Sequence, residues 1–283
     1  MRSKALNPVY LPENEDKNDL ENQTIYQTIS RLTGVDRPAL VFRTIAATPG
    51  ALAWCWRRIG PLYEHGLVQQ AGWRIGPALH LPPGLVISQD ALDLANINHD
   101  DKLKIVKALE AYNRVNPCNL IAIGVLIQSL NTAKATCCSA DILTAQKNWT
   151  PPEPILPVTT MVEPENMSHS ISRLITQISL DQPAYDQPAL VPSLYRHLAN
   201  VPAFLALASV LLRPLLLQGQ LNALVIQVRE QALLESQHLF GMLTAPVDDA
   251  PVNAENLKGL CERFSWKIPE MIVVGEILRR ALP

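Results

Sequence analysis

The chain has 283 residues, enough for one large or two ordinary domains, and its 48% hydrophobic content suffices for a sizeable core. A net charge of −2 with no long basic run argues against a nucleic-acid binder driven by charge. Only 18% of residues are charged, and so sparse a surface charge points towards self-association as a homodimer.

In chain order, residues 1–21 read as a mobile polar tail. Ile25, Ile29 and Leu32 fall on one face of a helix that Gly34 caps. Asp36-Arg37-Pro38 is a break, and Ala39 to Ala47 makes a short helix. Thr48 is the expected N-cap of a helix opened by Pro49 and stopped before Gly60-Pro61, and another runs from Pro61 to Leu79. An amphipathic helix covers Asp100 to Tyr112, capped by Asn98 or Asp100. Asn116, as N-cap, and Pro117 then start an almost wholly apolar helix to Leu130, which must be buried. Five prolines between residues 148 and 167 make a stiff linker. Beyond it come a helix with Ile171, Leu174, Ile175 and Ile178, the Pro188 break, a segment around Tyr195, and a helix from Pro202. A long helix from Pro214 to Phe240 follows, then a loop at Pro246–Pro251 and paired helices split at Pro269. Val158 to Val162 is the one run that tempts a strand. The expected fold class is all-α.

The chain repeats itself. Phe42-Arg43-x-Ile45-Ala46-x-x-Pro49-x-x-Leu52-Ala53 recurs as Tyr195-Arg196-x-Leu198-Ala199-x-x-Pro202-x-x-Leu205-Ala206, with every pair 153 residues apart. Pro38 to Val41 recurs as Pro188 to Val191 at an offset of 150, and Tyr112, Pro117, Leu120 and Leu126 pair with Phe264, Pro269, Ile272 and Leu278 at 152. A period this long is a tandem duplication, not a solenoid. It predicts a tail (1–21), a first helical repeat (22–147), a proline-rich linker (148–167) and a second repeat (168–283). The two repeats would pack about a pseudo-two-fold axis as a pseudo-dimer, with any pocket between them.

The five cysteines (Cys55, Cys118, Cys137, Cys138, Cys261) are odd in number and keep no CxxC or metal spacing, so they read as reduced thiols of a cytoplasmic protein. The same absence leaves a redox reading of the alkylhydroperoxidase-like type without its motif. Residues 1–22 carry charges and no apolar core of a signal peptide, and Pro202 to Leu217 is too short to span a bilayer. No histidine pair has metal spacing, and no phosphate-binding, zincin or nucleophile-elbow motif occurs.

The repeated Tyr/Phe-Arg-x-Leu/Ile-Ala-x-x-Pro segment resembles the group I 2-haloacid dehalogenases. So do Tyr112-Asn113-Arg114-x-Asn116-Pro117-x-Asn119-Leu120 and the duplicated helical order, over residues 22–283. The resemblance implies a pseudo-dimer of helical repeats with a cofactor-independent site between them. There an aspartate would activate water to displace halide from a short 2-haloacid such as 2-chloropropionate. The implied ligand is a small carboxylic acid, with no metal, nucleic acid or membrane involved. The family's aspartate is expected beside a serine just before the Tyr-Arg pair, where this chain has Pro192-Ser193-Leu194-Tyr195-Arg196. Leucine cannot take a proton, so Asp186 becomes the candidate base.

Substrate contacts are expected from Tyr112, Asn116, Asn119, Ser193 and Tyr195, whose donors suit a carboxylate. The competing roles are core packing for Tyr112, helix capping for Asn116 and Ser193, and structural pairing for the duplicated Arg43 and Arg196. His197 reads as a structural histidine, since no Cys, Asp or Glu partner is near it in sequence. Two functions follow: a hydrolase of 2-haloacids or of a related small carboxylic acid, or a non-catalytic helical binding or scaffold protein that kept the fold.

Overall fold

The computed structural model describes residues 11–132, 149–181, 191–243 and 253–283. The candidate base Asp186, Cys137, Cys138, the Pro188 break and the Pro246–Pro251 loop lie outside the described residues.

The fold is all-α. Among the described residues there are eleven α-helices and no strand. The first six are α1 (Leu20–Thr33), α2 (Leu40–Ile45), α3 (Ala51–Glu64), α4 (Leu67–Trp73), α5 (Gln89–Leu94) and α6 (His99–Asn131). After an extended stretch come α7 (His169–Ile178), α8 (Ser193–Leu198), α9 (Pro202–Leu217), α10 (Gln220–Gly241) and α11 (Ala254–Ala281). The centre is the long pair α6 and α11, the most extensive helix contact in the molecule; α4 and α10 pack onto α6 and α10 also onto α11. The short helices reach across: α2 touches α11, and α8 touches α6. No single described helix is long and apolar enough to cross a membrane; the bent pair α9–α10 passes only by combined length and composition.

The apolar runs that the sequence marks for burial are buried. Leu120 is 5% exposed and Ile123 and Leu126 are fully covered, as are Ile277 and Leu278 on α11, while Arg279 and Arg280 mark its wet side. Gly34 caps α1 with φ 70°, the left-handed geometry that favours glycine, and its N–H donates to Ser30 O at 2.8 Å. Asn98, not Asp100, caps α6.

The expected breaks at proline are the main correction. α3 runs through Gly60-Pro61, α6 through Pro117, α9 through Pro214 and α11 through Pro269, so α6 and α11 are each one helix. An interior proline removes one backbone hydrogen bond and crowds the preceding turn. Beside Pro117, Trp73 Nε1 donates to Arg114 O at 3.0 Å and ties α4 to this stretch of α6. Asn116 therefore sits inside α6 and caps nothing. The break before α10 falls at Gly219, φ 72°, and α3 starts after Gly50, not at Pro49.

The tail is not free where it is described. Asn14 N donates to Arg43 O at 3.0 Å, Glu13 pairs with Arg43 at 2.7 Å, and Tyr26 Oη donates to Asn14 O at 2.8 Å. Arg196 makes the like contacts: Val162 N donates to its carbonyl at 3.2 Å and Glu163 pairs with it at 2.5 Å. Both arginines thus tie α2 or α8 to an extended acidic segment.

At Gly72 α4 lies against the backbone of α6. A Cβ there would meet Cys118 N at 2.8 Å and the Pro117 carbonyl carbon at 3.0 Å. Backbone atoms of a buried helix cannot retreat, so Gly72→Ala is expected to cost about 2 kcal/mol, read as a lower urea midpoint.

Candidate functional site

A cavity of about 280 Å³ opens where α6, α8 and α11 meet residues 35–41, a loop that runs into the start of α2, and the extended 158–161 stretch. α6 presents Tyr112, Asn116 and Asn119, spaced i, i+4, i+7 and therefore on one helix face. α11 presents Phe264, Ile268 and Met271 at the same spacing. Each of these lies 152 residues after its counterpart on α6. Positions at one sequence offset thus give one polar wall and one apolar wall.

The polar wall has unused donors. Asn116 is 4% exposed and Asn119 2%, and the Nδ2 of each has no hydrogen-bond partner in the protein. A buried amide left unpaired costs about 1–3 kcal/mol, so two facing one cavity mark a place for an acceptor.

Two arginines line the cavity, both paired with carboxylates. Arg43 is held by Glu13 at 2.7 Å and Glu15 at 3.0 Å, and Arg37 by Glu15. Among the described residues Asp36 is the one carboxylate lining the cavity, and its side chain is exposed at the rim.

The second half contributes Ser193 and His197, one helical turn apart on α8. His197 Nδ1 lies 2.8 Å from Tyr112 Oη, and the two rings meet edge-to-face with centroids 5.3 Å apart. Ser193 lines the cavity beside this pair, and its hydroxyl approaches Met271 Sδ at 3.5 Å. Burial is the main cause that pushes the Tyr112 phenol up to about 12. Burial likewise takes His197 down to about 4, against the backbone of Ser193 and of Thr159, which favours its charged form. The ring is therefore neutral at pH 7. Its folded pKa lies below its unfolded one, so the stabilisation is present above the unfolded value of 6.5 and is lost as pH falls towards 4. His197→Asn is expected to remove roughly 3 kcal/mol of the stability difference between pH 7 and pH 4, measured by paired urea titrations at the two pH values.

Four of the five expected ligand-contacting residues meet at this cavity: Tyr112, Asn116, Asn119 and Ser193. Tyr195 does not. It is 1% exposed, and its hydroxyl donates to Ile178 O at 3.3 Å and Glu270 Oε1 at 3.2 Å. Ser193 is the first residue of α8 and makes no capping bond, so the capping role is not what occupies it. Leu194 is fully buried and does not line the cavity. His197, Arg37, Asp36 and the Thr159–Met161 stretch were not expected here. For His197 the only sequence signal was its i+4 spacing from Ser193, because its partner Tyr112 is 85 residues away.

No protein-family model matches the chain, and no curated protein does. Solved structures do. A D-2-haloacid dehalogenase mutant in complex with D-2-CPA superposes with a TM-score of 0.72 at 17% identity, covering 98% of this chain and 97% of that one. A D-2-haloacid dehalogenase with L-LA gives 0.74 at 16% identity over 99% of both chains. A further mutant of that enzyme gives 0.74 at 17% identity, over 99% of this chain and 98% of that one. The chain therefore has the fold of the D-2-haloacid dehalogenases over nearly its whole length.

Proposed function

We propose that the protein is a hydrolase of the 2-haloacid dehalogenase type, acting on a short 2-substituted carboxylic acid held in the α6–α11 cavity. The observation that carries this reading is the pair of unpartnered amides on Asn116 and Asn119, set opposite Phe264, Ile268 and Met271. Amide N–H groups suit a carboxylate, and the apolar wall suits a small alkyl group and a leaving halide. The neighbouring solved structures support the same reading, since they are named for D-2-haloacid dehalogenase and two of them are described with D-2-CPA and L-LA. The exposed position of Asp36 favours a second reading, in which the cavity binds its acid without turnover.

The test is halide release from D- and L-2-chloropropionate by the purified protein, beside calorimetric binding of each. Asn119→Ala is expected to weaken binding roughly 10–100-fold, the loss of one bond to a charged group. Turnover supports the hydrolase; tight binding without halide release supports the binding protein.

A further inference from the structure

We propose that the water attacking the substrate gives its proton to His197 through the Tyr112 phenol. This relay rests on the hydrolase reading above.

Hydrolytic displacement needs a base inside the cavity. Among the described residues no carboxylate is buried there: Asp36 lies exposed at the rim, and Leu194 faces the core. Tyr112 and His197 are partly buried against the cavity and already joined at 2.8 Å. With Tyr112 donating to Nδ1, the phenol oxygen keeps a lone pair for a water. The backbone of Ser193 and of Thr159 favours the charged form of the ring, which helps an imidazolium formed there. The charges that reach the ring are Arg196 on its own helix and Arg37 on the 35–41 loop; both act against protonation, and α11 faces the cavity with no charge.

The step balances. The water oxygen bonds to C2 as the carbon–halogen bond breaks and the halide leaves with its electron pair. The water proton passes to the Tyr112 oxygen while the Tyr112 proton moves to His197 Nδ1. The products are a 2-hydroxy acid, halide and an imidazolium that returns its proton to solvent. Tyr112 touches the water; His197 is a positioning residue and proton acceptor that acts through it.

Sequence order supports a role outside the duplicated framework. The counterpart of Tyr112 at the 152 offset is Phe264, and that of His197 at the 153 offset is Thr44, so only one face of the cavity carries the pair.

The experiment compares wild type, Tyr112→Phe, His197→Asn and the double variant on 2-chloropropionate. Asparagine keeps an acceptor for the phenol but cannot hold the proton, so a merely structural role would be rescued. Each single variant is expected to lose roughly 10²–10⁴-fold in kcat with KM little changed. The double variant should lose no more, because the pair acts as a unit. In wild type, kcat/KM should fall as pH drops through about 4. ¹⁵N-histidine spectra of wild type at pH 7 should show His197 Nδ1 without a proton, a readout independent of whether any variant folds. A protonated Nδ1, or turnover that survives His197→Asn, overturns the relay alone. Turnover abolished by Asp36→Asn and kept by His197→Asn assigns the base to the carboxylate instead. Wild-type protein that binds 2-chloropropionate without halide release overturns the reaction, and the relay with it.

Discussion

Leu194→Asp is expected to destabilise the protein by about 4 kcal/mol or more and to bring no gain in halide release over wild type. Sequence likeness alone puts the catalytic aspartate of the dehalogenases at this position, and by that reasoning the substitution should restore a base. The side-chain directions of α8 argue otherwise. Ser193 and His197 lie on the cavity side, while Leu194, Tyr195 and Leu198 turn into the core. Leu194 is fully covered, so the variant loses a leucine's burial and puts a carboxyl among apolar neighbours. The carboxyl takes a proton instead of staying charged, and the cost stays large at every pH. The measurement is the urea midpoint of the variant beside wild type, with halide release assayed on both. A variant as stable as wild type, or one that gains activity, would mean that α8 is turned so that residue 194 reaches the cavity.

That contrast shows where sequence stops being informative. Periodicity located the helices, and the run from Leu120 to Leu126 announced its burial because no charge interrupts it. Asn116 and Asn119 stood out as amides just ahead of that apolar run, and the structure brings both to the cavity. The prolines misled. Pro117 and Pro269 read as helix starts, and both lie inside long helices because surrounding packing outweighs the lost hydrogen bond. The Tyr112–His197 contact joins the two halves of the chain, and no local pattern encodes a meeting 85 residues apart. The mouth of the cavity was missed for a related reason: Asp36 and Arg37 read as a turn, and only the docking of the 35–41 loop against α6 makes them part of a site.

Lys267→Met should cost about 3–5 kcal/mol at neutral pH, the usual result of stranding a buried charge. Glu270 is 1% exposed and Lys267 4%, and Nζ donates to Oε2 at 2.7 Å. The pair also holds Leu180 at both backbone groups: its N–H donates to Glu270 Oε1 at 3.2 Å, and its carbonyl accepts from Nζ at 3.1 Å. Tyr195 Oη donates to the same carboxylate at 3.2 Å. The clamp thus fastens to α11 both the chain just beyond α7 and the helix α8 that carries Ser193 and His197. Burial raises the Glu270 carboxyl above its ordinary value, and Lys267 opposes that rise. Without the lysine the folded pKa climbs further above the unfolded one, so the penalty of the variant grows as pH rises above 4.5 and levels off past the folded value. Urea titrations at pH 4 and pH 7.5 should show the larger loss at pH 7.5. At the 152 offset the first half carries Val115 and Cys118 in place of this pair. An apolar solution already exists in the chain, so Lys267→Met with Glu270→Leu should recover most of the stability. If the double variant recovers stability yet loses halide release, the charged clamp serves the placement of Ser193 and His197; if it recovers both, the pair serves the fold alone.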